Sequence, residues 1–328
     1  MSVSVPESNG VSLLVASTGG HLEQLHRIYG RLRPAVGDRV EWVTFDTDQS
    51  RSLLASERVH YVPYIAPRDY SSVMANIPIA RRILKNMYSR VVTTGAGIAL
   101  PFVSIARSRR IPCHYIESAA RGSGPSVTGG LLARLPGVRL YSQYDSWANR
   151  RWRFRGSVFD GFSGFEQAEP PPVRRVVVTL GTMRNYHFTR AVESLAGVLP
   201  AVVEPGAEIL WQTGPTDASG LGISGRNSIP AHELRAAVAE SDLVIMHAGV
   251  GSALMALEAG KCPVMLPRRR AHKEHVDDHQ TMIANELSGR GLAVSCEADE
   301  VTVATLRVAA GRSVRAAESP APFILQET

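Results

Sequence analysis

The 328-residue chain is poor in cysteine and in aromatic side chains, and it contains no long apolar run. Its three cysteines, Cys113, Cys262 and Cys296, lie far apart and in or beside expected buried strands. No CxxC pair occurs, so a disulfide framework, a thiolate metal site and a redox dithiol are all excluded, and a cytoplasmic location is expected. No segment approaches the roughly 20 apolar residues needed to cross a bilayer. The opening MSVSVPESNG has neither the basic nor the apolar region of a signal peptide, which predicts a soluble or peripheral protein. Aromatic residues make up 6% of the chain and do not interleave with the basic ones. The excess of 36 basic over 30 acidic residues, +6, therefore comes without a stacking platform for nucleic acid. There is no internal repeat and no low-complexity tract.

What is present is length, alternation and glycine at strand ends. With 44% hydrophobic residues, the chain can build two cores. Strands are expected at 11–17, 39–45, 60–64, 90–93, 112–116 and 138–142, then at 174–180, 207–213, 242–247, 263–266 and 292–295. Helices are expected between them, near 21–33, 49–56, 77–88, 97–108 and 127–134, then 186–198, 231–240, 252–260 and 275–289. A polar, proline-rich stretch at 161–173 reads as a linker, leaving domains at 1–160 and 174–328. The pattern predicts an α/β protein of two doubly wound, Rossmann-like domains. Facing each other, they would turn the carboxyl ends of both sheets toward a central cleft, where open α/β sheets bind ligands.

The most informative stretch is His247, Ala248, Gly249, Val250, Gly251 and Ser252, which closes one strand and opens a helix. A glycine-rich turn lets backbone approach a diphosphate, and the N–H groups at a helix start face its charge without a metal. Glu258, expected near the second turn of that helix, offers a carboxylate to a ribose diol. Gly181 and Thr182 end another expected strand in a second turn of the same kind. At the N-terminus, Val11–Ala16 reads as a buried strand running into Ser17, Thr18, Gly19, Gly20 and His21.

The run DLVIMHAGVGSALMALEAGKCPVMLPRRRAHKEHVDDHQTMIANEL resembles the donor-site signature of inverting GT-B glycosyltransferases related to MurG and to the catalytic subunit of the dolichol-linked GlcNAc transferase. The STGGH turn resembles the glycine-rich loop of the same enzymes. YIESAAR, SVTG and YSQ resemble the acceptor-side subunit of the eukaryotic enzyme, so the chain looks like both subunits fused, acceptor half first. The resemblance implies that Gly181, Thr182, His247, Gly249, Gly251 and Ser252 hold the donor diphosphate, Glu258 the ribose, and His279 and Gln280 the sugar hydroxyls. It also assigns Gly19, Gly20, Ser118, Arg121 and Thr128 to the acceptor. The membrane anchor of the eukaryotic acceptor subunit has no counterpart in the expected elements.

Inverting transfer needs a base for the acceptor hydroxyl and support for charge building on the leaving diphosphate. A neutral imidazole suits the first task, which points to His21. Glu117 is the rival, since a carboxylate in an apolar setting can have its pKa raised. Asp46, Thr47 and Asp48 have the form of a metal-binding DxD, and His272, His275 and His279 have zinc-like spacing. The first is read as a solvated acidic turn; the histidines share a helix face but lack a carboxylate partner at zincin spacing, and His279 is assigned to the sugar, so no metal or cofactor is expected. The basic runs at 150–155 and 268–270 fit attraction to a diphosphate or to anionic headgroups. Ile79, Ile83 and Met87, flanked by Arg81, Arg82 and Lys85, form a candidate stripe for peripheral contact with the inner face of an anionic membrane. The loop at 121–130, leading to Leu131 and Leu132, is a second candidate. The expected activity is transfer of GlcNAc or a related hexose from a UDP-sugar to a lipid-diphosphate-linked saccharide, in envelope or exopolysaccharide synthesis. The alternatives are a UDP-sugar 2-epimerase and a noncatalytic UDP-sugar-binding partner of a membrane transferase.

Overall fold

The computed structural model describes residues 10–66, 68–85, 88–169 and 171–326. It divides into two compact units. The N-terminal residues read for a leader, Met87 of the candidate stripe, and Pro170 of the expected linker lie outside the described residues.

The first unit runs β1 (Val11–Ala16), α1 (Gly20–Val36), β2 (Val40–Phe45), α2 (Asp48–Leu53), β3 (Val59–Val62), α3 (Tyr70–Ala75), α4 (Ile77–Ile83), β4 (Tyr88–Gly95), α5 (Ala99–Ser108), β5 (Cys113–Ile116), α6 (Val127–Leu132), β6 (Val138–Ser142) and β7 (Trp152–Phe154). All seven strands are parallel, in the order β3-β2-β1-β4-β5-β6-β7. A parallel sheet is covered on both faces, which is why β1 is apolar apart from Ser12, whose hydroxyl donates to the Val36 carbonyl, and buried rather than alternating. Helix α1 covers one face through Leu22, Leu25, Ile28, Tyr29, Leu32 and Val36, all buried and spaced three or four apart. Each such side chain is worth roughly 1.5–3 kcal/mol when fully buried.

Helix α4 ends at Ile83, short of the expected 88. Its apolar positions are spent internally, since Ile83 is buried and Ile77 and Ile79 pack against the same core. Among the described residues of the proposed membrane stripe, Arg81, Arg82 and Lys85 are exposed.

The second unit begins at Phe159. It runs β8 (Phe162–Glu166), β9 (Arg175–Thr179), α7 (Thr189–Val198), β10 (Glu208–Gln212), β11 (Gly225–Arg226), α8 (Ala231–Glu240), β12 (Leu243–His247), α9 (Val250–Glu258), β13 (Val264–Leu266), α10 (His279–Gly289), β14 (Val294–Ser295), α11 (Val303–Ala310) and β15 (Arg312–Ala316). Its main sheet is parallel, in the order β11-β10-β9-β12-β13-β14.

The structure places the division differently from a linker at 161–173. Part of that stretch is β8, which pairs antiparallel with β15 in a two-stranded ribbon. A ribbon with most of one strand exposed lacks the apolar signature of a core strand, hence the reading as linker. The stretch from Pro320 belongs to the first unit. Phe323 and Leu325 are buried there, the Phe323 N–H donates to the Arg31 carbonyl at 3.1 Å, and the Phe323 ring meets Tyr141 edge-on. In each sheet the strand order reverses once, between β1 and β4 and between β9 and β12, and ligands bind beyond such switch points. No helix among the described residues is long and apolar enough to cross a membrane.

Candidate active site

At the switch point of the first unit, β1 and β4 slip register at their carboxyl ends, pairing Ala16 with Gly95. The slip brings the two strand ends together. The Ser17 N–H donates to the Gly95 carbonyl at 2.8 Å, the Ala96 N–H to Ser17 Oγ at 3.1 Å, and Thr94 Oγ1 to the His21 carbonyl at 2.8 Å. Gly19 takes a positive φ, 82°, to turn the chain into α1, and its N–H donates to Gln49 Oε1. His21 follows in the first turn, with Nδ1 2.7 Å from the Thr94 carbonyl. A carbonyl only accepts, so Nδ1 carries the proton and the lone pair of the neutral ring lies on Nε2. Burial lowers the His21 pKa below its usual value, against smaller opposing effects of the Thr94 carbonyl and the Glu117 charge.

His21 lines a cavity of about 430 Å³ together with Ser17, Thr18, Ser126 and Thr128. Phe45, Tyr64, Ile65, Tyr70, Leu100 and Leu131 supply apolar walls, and Arg68 and Asp69 add charge. Of the expected acceptor residues, Thr128 faces this cavity directly. Ser118 instead is buried, accepting from Gln24 Nε2 and the Ala120 N–H, while Arg121 closes its own loop by donating to the Pro125 carbonyl.

Glu117 is fully buried, and its carboxylate accepts four hydrogen bonds: from the Tyr115 hydroxyl and Ser118 N–H at 3.0 Å, and from the Ser126 N–H and Oγ at 2.8 and 3.0 Å. Burial, then the Glu117 charge, raises the Tyr115 pKa and keeps that phenol a donor. Ser126 also caps α6 by accepting from the Gly129 N–H. The carboxylate therefore organises the loop beneath the cavity, and its oxygens are already engaged by these donors. A Cβ at Gly129 would come within 2.3 Å of Glu117 Oε2, so this close approach requires glycine.

In the second unit, β9 ends at Thr179, two residues before Gly181, and β12 ends at His247. A Cβ on Gly181 would lie 3.2 Å from His247 Cε1, and one on Gly249 would lie 2.5 Å from His247 Nε2. The imidazole is thus packed between the two turns. Burial, and after it the Arg268 guanidinium, pulls its pKa down to about 4. Helix α9 opens directly after Gly249, with no side chain capping its first turn, which leaves backbone N–H groups oriented for an anion.

Helix α9 starts two residues earlier than expected, so Glu258 is its last residue rather than a second-turn residue. Eight steps at 1.5 Å put it about 12 Å along the axis from Val250. Gly251, Met255 and Glu258 share the outward face, with Met255 between. Thr182 is exposed in the turn after Gly181. His279 starts α10 with Nε2 3.3 Å from Asp277, whose other oxygen lies 3.0 Å from His275 Nδ1. Gln280 points inward, buried, with its Oε1 accepting from the Arg268 N–H at 3.1 Å.

The readings set aside from the sequence have physical partners. Asp46 holds Arg51 through both oxygens at 2.6 and 2.8 Å. Among the described residues no cluster of His, Cys, Asp or Glu has the arrangement to hold a metal ion. Arg268, expected within a basic run attracting a diphosphate or anionic headgroups, is buried.

Residues 175–327 match the glycosyltransferase family 28 C-terminal domain. Over 151 residues the chain is 34% identical to the UDP-N-acetylglucosamine--N-acetylmuramyl-(pentapeptide) pyrophosphoryl-undecaprenol N-acetylglucosamine transferase of Nitratidesulfovibrio vulgaris strain DP4, covering 43% of this chain and 39% of that one. The match thus spans well under half the length of that relative. The transferase of the same name from Halorhodospira halophila is 25% identical over 317 residues, 86% of this chain and 83% of its own. The crystal structure of Acinetobacter baumannii MurG superposes with a TM-score of 0.56 at 19% identity, covering 90% of this chain and 88% of that one. Residues 175–327 are therefore similar to the glycosyltransferase family 28 C-terminal domain, and over both units the chain has the GT-B fold seen in MurG.

Proposed function

We propose that the chain is an inverting, metal-independent hexosyltransferase. It moves GlcNAc or a closely related hexose from a UDP-sugar to a saccharide carried on a lipid diphosphate, in envelope or exopolysaccharide synthesis. The observation that carries this reading is the pair of glycine turns packed on His247 at the switch point of the second unit, inside the region matching family 28. The names of the relatives, which pair a UDP-GlcNAc donor with a pyrophosphoryl-undecaprenol acceptor, support the substrate classes.

In this reading the second unit binds the donor. Gly181, Gly249, Gly251 and Ser252 face the diphosphate with backbone N–H groups, and Thr182 adds a hydroxyl. The nucleoside lies along the outward face of α9, so that ribose reaches Glu258 past Met255. His279 is placed to meet the sugar; Gln280 acts one layer behind, by fixing the Arg268 backbone.

The first unit binds the acceptor in the cavity beside His21, with Gly19, Gly20 and Thr128 around its head group and Ser118 and Arg121 shaping the loop. His21 Nε2 takes the acceptor hydroxyl proton as that oxygen attacks the anomeric carbon. The bond to the UDP oxygen breaks with inversion, and its electron pair leaves with UDP. The Thr94 carbonyl and Glu117 stabilise the imidazolium that forms. The exposed Tyr64, Tyr70 and Val127 on the cavity rim suit the first part of a lipid chain and peripheral membrane contact on the cytoplasmic face.

The test is a panel of UDP-sugars assayed with lipid-diphosphate saccharides. Transfer dependent on both substrates, with an inverted anomeric linkage by NMR, is expected. Acceptor-independent interconversion of UDP-sugars would mark the epimerase alternative. Binding without either reaction would mark a noncatalytic partner.

A further inference from the structure

Arg268 has 1% of its surface exposed, in the loop after β13. Its Nε and Nη2 donate to the Leu180 carbonyl at 3.2 and 2.6 Å, and Nη1 donates to the Tyr186 carbonyl at 2.8 Å and the Glu274 carbonyl at 3.1 Å. The guanidinium lies over the Phe188 ring, 5.1 Å from its centroid. Both ends of the loop following Gly181 are thereby tied to one side chain.

All of these partners are neutral carbonyls. The carboxylate of Glu274 is turned elsewhere: it holds Arg190 Nε and Nη2 at 2.9 and 3.1 Å and accepts from the Arg269 N–H. Among the described residues no carboxylate hydrogen-bonds to Arg268. The Glu274 charge offsets part of the cost of burying this cation, but that carboxylate is already engaged by Arg190 and the Arg269 N–H, and a neutral side chain could tie a loop at lower cost. A positive charge kept at such a place calls for an anion that arrives later. The Gly181 turn begins one residue beyond the anchoring Leu180 carbonyl and lies against the His247 ring.

We propose that Arg268 is a positioning residue and fixed cation for the donor: its guanidinium holds the Gly181 turn in shape and makes that turn prefer a nucleoside diphosphate over the bare nucleoside. The inference rests on the nucleotide reading of the second unit and adds to it a residue that acts through the turn. Burial lowers the Arg268 pKa to about 10, which still leaves it charged at neutral pH. The same charge steadies UDP as it departs, supplying part of what a metal supplies elsewhere.

The experiment is calorimetric titration of uridine, UMP and UDP into the full chain and into Arg268→Gln and Arg268→Lys variants, with folding checked by circular dichroism. Uridine affinity should be nearly unchanged in Arg268→Gln, while the preference for UDP over uridine falls by about tenfold or more, as expected when a charge facing a phosphate is lost. Arg268→Lys keeps the charge and loses the fork, so its preference should stay within about threefold of wild type even if both affinities drop. A folded Gln variant with the wild-type preference, or one that loses uridine and UDP equally, would show that Arg268 only props the loop. If the Gln variant does not fold, the Lys variant decides: loss of the UDP preference with the charge retained overturns the proposal. A wild-type chain that binds neither ligand removes the nucleotide reading and this inference with it.

Discussion

His21→Ala is the most discriminating single change, because the structure fixes what the ring can do. With Nδ1–H committed to the Thr94 carbonyl, only Nε2 can take a proton. Burial lowers the pKa from 6.5, so at pH 7.5 more than about nine-tenths of the rings are neutral and active as base. Alanine removes that group without touching the residues proposed for UDP, all of which lie in the second unit. Removal of a general base costs about 10²–10⁴ in turnover, or about 3–5 kcal/mol of transition-state stabilisation. Steady-state kcat at saturating donor and acceptor measures this, and calorimetry with UDP supplies the control. The pH profile gives a second readout. Protonation inactivates the base, so wild-type kcat/KM should fall as pH drops through a value below 6.5 and stay level above it, whereas the alanine variant should lack that acid limb. Wild-type turnover in a folded His21→Ala chain, or equal losses in kcat and UDP affinity, would refute the base assignment.

Gly249→Ala keeps an allowed backbone, φ −92° and ψ 137°, but sets a methyl 2.5 Å from His247 Nε2. Overpacking of this kind costs about 1–3 kcal/mol, and UDP affinity should fall more than thermal stability does. Calorimetry beside a melting curve checks the order of the two effects. Glu258→Ala should weaken UDP by the worth of its ribose hydrogen bonds, about 0.5–1.5 kcal/mol each, while leaving binding of inorganic diphosphate alone; an unchanged UDP affinity would move the nucleoside away from the outer face of α9. Transfer should survive EDTA if, as proposed, backbone N–H groups at the glycine turns and the fixed charge of Arg268 behind them take the place of a cation. Activity abolished by chelation and restored by manganese would contradict that.

The strands that end in the two sites were legible because parallel strands covered on both faces are largely apolar runs, as in β1 and β12. Ribbon β8–β15 was not, because most of β8 is exposed and reads as polar loop. Helix α11 was missed where Val301, Thr302, Val303 and Thr305 imitate a strand; its start depends on the Thr302 side chain accepting from the Thr305 N–H, which no periodicity announces. The glycine turns were visible, but the register of α9 was not, and a two-residue difference was enough to move Glu258 to the end of the helix. The basic run at 268–270 reads as charge for a diphosphate or a headgroup, but only the fold shows that Arg268 is the member turned inward. Gln280 was read as facing the ligand for the same reason: residue type alone does not give side-chain direction.

The return of the chain from Pro320 to pack Phe323 and Leu325 into the first unit makes that unit discontinuous. The second unit is an insertion whose entry and exit are adjacent, Phe162 pairing with Ala316. During synthesis the first unit's seven strands all emerge before the second unit begins, yet the pieces of its packing after Pro320 emerge only once the second unit is made. Arg31 and Tyr141 wait for Ala321, Phe323 and Gln326 through the production of about half the protein. Residues 320–326 thus act as a latch on the first unit that can set only after the second unit has been made.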